Sequence, residues 1–153
     1  FLEKQRFNQW WIWLIAIILA ATSIRLFFER IEMGSNDFML PFLFFGGTVF
    51  FLFGISLKSR IDAKGIHLKM FPFHLKEVHY LWSDISFVEV AKYSPLWEYG
   101  GWGVRGFGED KAFNIKGNMG IRLKLANGKI RMIGTQKPEG AKTIISNYFS
   151  NPS

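Results

Sequence analysis

The chain has no cysteine among its 153 residues. This absence excludes disulfide bonds, thiolate metal ligands and thiol nucleophiles, and it is consistent with a reducing compartment. Acidic residues are also scarce, with 12 Asp and Glu against 19 Lys and Arg, so the formal net charge is +7. The sequence shows neither the paired acids of acid–base catalysis nor a serine in a nucleophile elbow. It therefore favours a binding or structural protein over an enzyme.

Charge is missing altogether from two apolar runs in the first third of the chain, residues 7–24 and 38–57. At ~1.5 Å per residue, the second run is about as long as the core of a bilayer is thick. A soluble domain of this size would rarely carry two such runs in succession. We predict a membrane helical hairpin over residues 1–57, with spans at about 7–27 and 38–57.

Residues at the ends of these runs match the membrane interface. Trp10, Trp11 and Trp13 open the first span, and indole rings favour the level of the lipid headgroups. Arg25 follows the run and can extend its guanidinium group out of the apolar layer. These four residues are the predicted membrane-interface set.

Lysine and arginine near the span ends predict the orientation. The two outer flanks carry more of them than the connection, which has Arg25 and Arg30; the flanking residues are Lys4, Arg6, Lys58, Arg60 and Lys64. Because cytoplasmic flanks are enriched in these residues, we expect both termini in the cytoplasm.

All of the net charge lies beyond the hairpin, in residues 58–153, which hold fifteen basic and eight acidic residues. A basic domain tied to a membrane lies near anionic headgroups, which attract each nearby Lys or Arg by ~1 kcal/mol. We therefore expect membrane lipids and other membrane-protein subunits as partners, and no nucleic acid.

Turn signals at intervals of eight to twelve residues after Leu57 predict an antiparallel barrel or sandwich. Asn127-Gly128 is the clearest of them, because this pair suits a two-residue type I′ turn. That turn places Lys124 opposite Arg131. It puts five apolar residues on one face, which are Ile121, Leu123, Leu125, Ile130 and Met132.

The opposite face of this predicted hairpin is basic. It carries Arg122, Lys124, Lys129 and Arg131, and like charges across a ladder are destabilising. One interpretation is a site for anionic headgroups or an acidic partner, and the other is an ordinary solvated face.

A C-terminal helix is predicted over residues 138–149. Pro138 suits its first turn. An apolar stripe has the helical spacing, formed by Ala141, Ile144, Ile145, Tyr148 and Phe149. We expect this helix to cap a barrel of about seven strands in a domain covering residues 58–153.

Residues 61–149 resemble the bacterial pleckstrin-homology-like domains found in small membrane proteins. The matching elements are Gly65-Ile66, Trp82-Ser83-Asp84-Ile85, Tyr99-Gly100-Gly101-Trp102-Gly103-Val104-Arg105, Gly117-Asn118-Met119-Gly120-Ile121 and Ile133-Gly134-Thr135-Gln136-Lys137-Pro138-Glu139. The resemblance implies a seven-stranded antiparallel barrel with a C-terminal helix, and two preceding helices are a common arrangement in the family. With the charge bias, it implies a multi-pass protein of the bacterial inner membrane with its C-terminal domain in the cytoplasm.

An aromatic- and glycine-rich stretch interrupts the strands. Trp97, Tyr99, Trp102 and Phe107 could form an exposed loop that touches the bilayer or a partner; the alternative is a bulged barrel edge. Residues 101–106 match G-x-G-x-x-G, but residues 107–111 break a helix rather than start one, so we expect no dinucleotide cofactor.

Three histidines are the candidate metal ligands: His67, His74 and His79. They fall on different predicted strands, without cysteine or a carboxylate pattern beside them, so we expect no metal site.

The predicted function is that of a membrane-anchored binding or scaffold module. In the first hypothesis it is an accessory subunit of a larger membrane complex. The alternative is a free-standing module that binds anionic lipid or the cell envelope, and a membrane enzyme is the least supported class.

Overall fold

The computed structural model describes residues 1–7, 9–34, 39–106 and 110–150. The chain forms two compact units. One is Phe7–Ile55, and the other combines Phe1–Arg6 with Ser56–Ser153. We call them the helical unit and the β unit.

The helical unit consists of α1 (Trp10–Glu32) and α2 (Met39–Gly54). The ring centroids of Trp13 and Phe53 lie 4.9 Å apart, and those of Phe27 and Phe42 lie 5.3 Å apart. The start of one helix therefore meets the end of the other, so the two helices pack antiparallel as a hairpin.

Only α1 meets the length and composition of a membrane-crossing helix among the described residues, while α2 is a shorter apolar helix. The 16 residues of α2 extend about 24 Å, against about 30 Å for a bilayer core. The predicted span bounds need correction. The first helix starts at Trp10 and continues to Glu32, and the second ends at Gly54 because Ser56 begins a strand. Phe38, where the second span was predicted to start, lies outside the described residues.

The first sheet of the β unit has four antiparallel strands in the order β1-β2-β3-β4. They are β1 (Leu2–Arg6), β2 (Ser56–Asp62), β3 (Gly65–Phe71) and β4 (Val78–Leu81). The helical unit is thus inserted in the chain between two hydrogen-bonded neighbours, since Arg6 pairs with Ser56.

The second sheet has five strands in the order β5-β8-β9-β7-β6. They are β5 (Ile85–Lys92), β6 (Gly103–Arg105), β7 (Lys111–Asn114), β8 (Met119–Leu125) and β9 (Ile130–Gly134). The pairing is antiparallel except between β7 and β9. Two helices complete the unit, α3 (Pro95–Tyr99) and α4 (Pro138–Tyr148).

The coarse prediction of an apolar helical segment, a mostly β domain and a C-terminal helix is confirmed. Neither sheet closes on itself within the described residues, so the barrel stays a prediction. The sequence also missed β1, and the boundary predicted at residue 57 differs because residues 1–6 belong to the β unit. Strand β1 buries Glu3 and Gln5 and exposes Leu2, the reverse of the usual apolar alternation.

The hairpin between β8 and β9 closes through three residues, Ala126 to Gly128, instead of two. The backbone N–H of Leu125 donates to the carbonyl of Lys129 at 2.9 Å, and that of Gly128 donates to Leu125 at 2.8 Å. Gly128 has a φ of 83°, whereas Asn127 has no positive φ. A type I′ turn needs positive φ at both positions, so the predicted turn is wrong.

The additional turn residue shifts the register by one. Lys124 lies opposite Ile130, and Leu123 lies opposite Arg131. Because side chains alternate along a strand, a shift of one residue moves every side chain of β9 to the other face. The predicted apolar face therefore loses Ile130 and Met132, which lie on the same face as Lys124.

The core of the β unit is built from alternating apolar side chains of both sheets. Fully buried examples are Leu57, Ile61, Ile66, Leu68, Ile121, Leu123 and Ile133. Helix α4 adds Ala141 and Ile145 to the buried set, as its apolar stripe predicts. Tyr148 and Phe149 stack on the indole of Trp82, with centroid distances of 6.3 and 5.7 Å.

Candidate functional site

A row of polar side chains crosses the outer face of the first sheet. Arg60 of β2 pairs with His67 of β3, and His67 pairs with His79 of β4. Their neighbours Ile61, Ile66 and Tyr80 face the core, so alternation directs this row outward. Asp62 and Glu77 complete the group. We call these five residues, Arg60, Asp62, His67, Glu77 and His79, the histidine cluster.

His67 is only 4% exposed although it lies on an outward face. Its Nε2 lies 3.0 Å from Oδ1 of Asp62, whose side chain is one-third exposed. Hydrogen bonds from His67 and from the backbone N–H of Lys64 lower the pKa of Asp62 to about 2. The ionised carboxylate therefore holds the imidazole ring in a fixed orientation.

The other nitrogen of the same ring meets a second histidine. Nδ1 of His67 lies 2.5 Å from Nδ1 of His79. Oε2 of Glu77 lies 3.9 Å from that His79 nitrogen. His67, Glu77 and His79 thus each offer one ligand atom, and these atoms lie within 4.8 Å of one another. This is a set of donors that could hold a metal ion.

Two acids and one cation form the rim of the cluster. The guanidinium group of Arg60 lies 3.2 Å from Oε2 of Glu77 and 3.5 Å from Oδ2 of Asp62. The side chains of Arg60, Glu77 and His79 are 46%, 36% and 52% exposed. The cluster is therefore buried at His67 and open to solvent at His79.

The third histidine lies apart from this group. His74 packs its ring edge-on against Phe113, with centroids 5.3 Å apart. Burial, together with the positive charge of Lys111, lowers its pKa. His74 is therefore a packing residue and serves as a matched comparison for the other two.

The sequence identified the histidines but not their convergence. The prediction placed His67 and His79 on different strands, which is correct, and treated that as an argument against a site. In a β-hairpin, however, residues on adjacent strands come together when they are cross-strand partners. Predicting this contact therefore requires the register of β3 with β4. The sequence does not determine that register, because the two strands are joined by a six-residue connection, 72–77, that allows several registers.

The predicted basic face does not form as one surface. Arg122 and Lys124 lie on one face of the hairpin, while the register shift places Arg131 on the other. Arg122 lies 3.2 Å from Glu89 and 3.6 Å from Glu98. Nη1 of Arg131 donates to the backbone carbonyl of Ile130 at 2.8 Å.

Lys124 is the one member of the basic set that is exposed, and the other three are partly buried. The four residues therefore offer an anionic partner a smaller continuous basic surface than the sequence predicts.

The aromatic set is also divided. Trp97, on α3, is 87% exposed. Tyr99 packs edge-on against Tyr93 with centroids 6.0 Å apart. Trp102 donates from Nε1 to the carbonyl of Gly117 at 3.3 Å. Phe107 lies outside the described residues, so Trp97 is the member most available to a partner.

The predicted interface residues lie on α1. Trp10 and Trp13 are 76% and 58% exposed near its start, and Trp11 packs edge-on against Phe7 at 6.3 Å. Arg25 forms an ion pair with Glu29 at 2.8 Å, one helical turn further on.

Comparison with protein-family models, with curated proteins and with solved structures finds no match to this chain. The resemblance of residues 61–149 to pleckstrin-homology-like domains therefore stays a prediction. Function has to be argued from the residues and geometry of the chain itself.

Proposed function

We propose that the protein is a membrane-anchored binding module and an accessory subunit of a larger membrane complex. In this proposal the helical unit is a two-span anchor, and the β unit is a pleckstrin-homology-like barrel on the cytoplasmic face. The observation that carries the proposal is the apolar surface of the helical hairpin.

The hairpin exposes large apolar side chains on the faces where its two helices do not touch. Residues more than half exposed include Trp10, Leu14, Ile17, Ile18 and Phe28 on α1, and Leu40, Leu43, Phe44 and Phe50 on α2. Two helices alone have no further layer to cover such a surface, and soluble monomers rarely expose apolar patches of this extent. A lipid bilayer or apolar partner helices would satisfy it.

The connectivity supports a hairpin with both ends on one side of the membrane. Arg6 and Ser56 are cross-strand partners, so the segments entering and leaving the hairpin belong to one sheet. A spanning hairpin returns the chain to the face from which it left. The short α2 requires apolar flanking residues or local thinning of the bilayer to complete the second span.

Two features favour a binding role over catalysis: the side chains available for catalysis are few, and the proposed anchor would hold the β unit at the membrane. The chain has no cysteine and few acids, and the β unit carries surplus positive charge. Anchored in this way, the β unit would present exposed side chains such as Trp97 and Lys124 near the membrane surface. Attraction to anionic headgroups would add to that placement.

Single-cysteine labelling tests the two-span topology, because the chain has no cysteine of its own. Met33→Cys marks the end of α1, and Lys76→Cys marks the β unit; both residues are exposed. A membrane-impermeant maleimide should label Met33→Cys in intact spheroplasts, and Lys76→Cys only after lysis. Labelling of both sites from the same side would contradict two spans.

Native mass spectrometry of the gently detergent-extracted protein tests the subunit role. We expect the chain at a fixed stoichiometry with other membrane proteins. A lone chain carrying bound anionic lipid would contradict the subunit role and favour the free-standing module.

A further inference from the structure

His67 is held in a single tautomer by its neighbour. The Asp62 carboxylate acts as a hydrogen-bond acceptor, and its Oδ1 already accepts from the backbone N–H of Lys64 at 2.9 Å. The Nε2 of His67, 3.0 Å from Oδ1 of Asp62, therefore carries the ring proton. The neutral ring then has its lone pair on Nδ1, the atom that faces His79. Carboxylates orient metal-binding histidines in the same way.

Nδ1 of His67 and Nδ1 of His79 lie 2.5 Å apart, so either one neutral ring donates an N–H hydrogen bond to the other or both nitrogens bind a cation. A metal ion would satisfy both nitrogens and would also use Glu77, whose carboxylate oxygen lies 3.9 Å from the His79 nitrogen.

We propose that His67, His79 and Glu77 form a binding site for a divalent transition-metal ion, with Zn²⁺ as the reference ion, in which Asp62 orients His67. The two imidazoles and one carboxylate are ligands that this ion accepts in proteins, and sites with three protein ligands keep a fourth position for water or another group.

The side chains need only local movement to reach ligand geometry. Bonds of about 2.0–2.2 Å in a tetrahedral arrangement place ligand atoms about 3.3 Å apart. The distance between Nδ1 of His67 and Nδ1 of His79 has to increase by about 1 Å, and the Glu77 carboxylate has to move toward these two nitrogens. His79 and Glu77 are 52% and 36% exposed, so they can rotate without disturbing the core. Their exposure also gives an ion a route from solvent.

Arg60 is the competitor of the ion. Its guanidinium group lies 3.2 Å from Glu77 and 3.5 Å from Asp62, so it uses the carboxylates that a cation would need. The Arg60 side chain is 46% exposed and can turn into solvent when an ion binds. Removing its charge should therefore strengthen metal binding, an effect that a purely hydrogen-bonded pair of histidines would not produce.

The site would join three strands at one edge of the first sheet. The proposed ligands come from β3, from β4 and from the residue that precedes β4, while Asp62 belongs to β2. Strand β4 is an edge strand of four residues. A bound ion would fasten this edge and leave one coordination position toward solvent.

Zinc titration of the full-length chain in detergent, without a histidine tag, tests the proposal by isothermal calorimetry. The wild-type protein should bind one Zn²⁺ per chain with micromolar or tighter affinity. His79→Ala should weaken binding by at least about 100-fold, and Asp62→Asn by about 10- to 100-fold. Arg60→Gln should bind zinc more tightly than the wild type.

His74→Ala is the matched control, because it removes a histidine of the same domain that lies outside the site. Its zinc affinity should equal that of the wild type. Far-UV circular dichroism checks that each variant is folded, and Glu77→Gln, at a half-exposed position, provides a second ligand variant. The proposal is overturned if the wild-type chain binds no zinc, if both ligand variants retain full affinity, or if His74→Ala loses it.

Discussion

Buried polar side chains, more than apolar ones, hold β1 against the rest of the β unit. Glu3 is 5% exposed, and its carboxylate is the acceptor in this contact. It accepts hydrogen bonds from the Thr135 hydroxyl group at 2.6 Å and from the backbone N–H of Gln136 at 2.7 Å. The Gln5 side chain donates to the carbonyl of Gly134 at 2.8 Å. In the sequence such residues are typical of a solvated segment, which is why their role was not predicted.

Glu3→Ala should lower the free energy of unfolding of the β unit by about 2–3 kcal/mol, because it leaves the buried Thr135 hydroxyl group and the partly buried N–H of Gln136 without their charged acceptor. Lys4→Ala is the matched control, since its side chain is exposed on the same strand and should change stability by no more than about 0.5 kcal/mol. Urea denaturation followed by near-UV circular dichroism measures both. Equal effects would show that Glu3 is not a structural anchor.

Tyr93 gives the fold a dependence on alkaline pH. Burial raises its pKa to about 12, against a hydrogen bond with Asn114 that lowers it. The pKa of Tyr93 in the folded state therefore lies above its pKa in the unfolded state, which is about 10. The neutral phenol contributes its full share to the free energy of unfolding below about pH 10, and this contribution is lost as pH rises toward about 12.

Tyr93→Phe should be less stable than the wild type at neutral pH, because Asn114 loses its partner at 2.8 Å. The difference in the free energy of unfolding between the wild type and the variant should become smaller between about pH 10 and 12, because the variant has no phenol to ionise. Chemical denaturation of both proteins across this pH range measures the difference. The exposed Tyr148→Phe is the control and should behave like the wild type throughout, and a constant gap for Tyr93→Phe would refute the assignment.

Among the elements, the β8–β9 hairpin offers a sharp test because its two possible registers pair different residues. Cross-strand partners have Cα atoms about 4.5–5.5 Å apart, within the reach of a disulfide. Cysteines at Lys124 and Ile130 should therefore oxidise to a disulfide, since these residues are partners. Cysteines at Lys124 and Arg131 should not, because their side chains point to opposite faces.

Non-reducing gel mobility and thiol titration measure this difference, and the native chain contributes no thiol of its own. Preferential oxidation of the Lys124 and Arg131 pair would contradict the observed register and support the register of the two-residue turn. In that register the four basic residues share one face.

The sequence predicts elements better than it predicts their pairing. Strands that alternate clearly, such as β2 and β3, and the stripe of α4 can be predicted from local periodicity. The β8–β9 register depends on the backbone conformation of Asn127, which the Asn-Gly pair does not determine alone. The meeting of His67 with His79 depends in the same way on a turn. Sites made from cross-strand partners are therefore less visible in a sequence than sites made within one helix.

At the scale of the whole molecule, the chain order is a β domain interrupted by a helical hairpin. Strand β1 precedes the hairpin and β2 comes after it, yet they are neighbours in one sheet. The sequence suggested a simple succession of anchor and domain, because β1 is short, polar and separated from its partner by about fifty residues. The structure makes β1 a part of the β unit that follows the hairpin.

Replacing the helical unit by a tight turn should therefore release a folded β unit. Joining Arg6 to Ser56 through an Asn-Gly pair suits the geometry, because these two residues are already cross-strand partners and such turns connect antiparallel strands. We expect this variant to be recovered without detergent, with a cooperative unfolding transition.

A second variant that begins at Ser56 lacks β1, and with it the Glu3 and Gln5 hydrogen bonds to residues 134–136. It should unfold at lower urea concentration or aggregate, since β2 would become an exposed edge. Equal stability of the two variants would show that β1 is dispensable for the stability of the β unit.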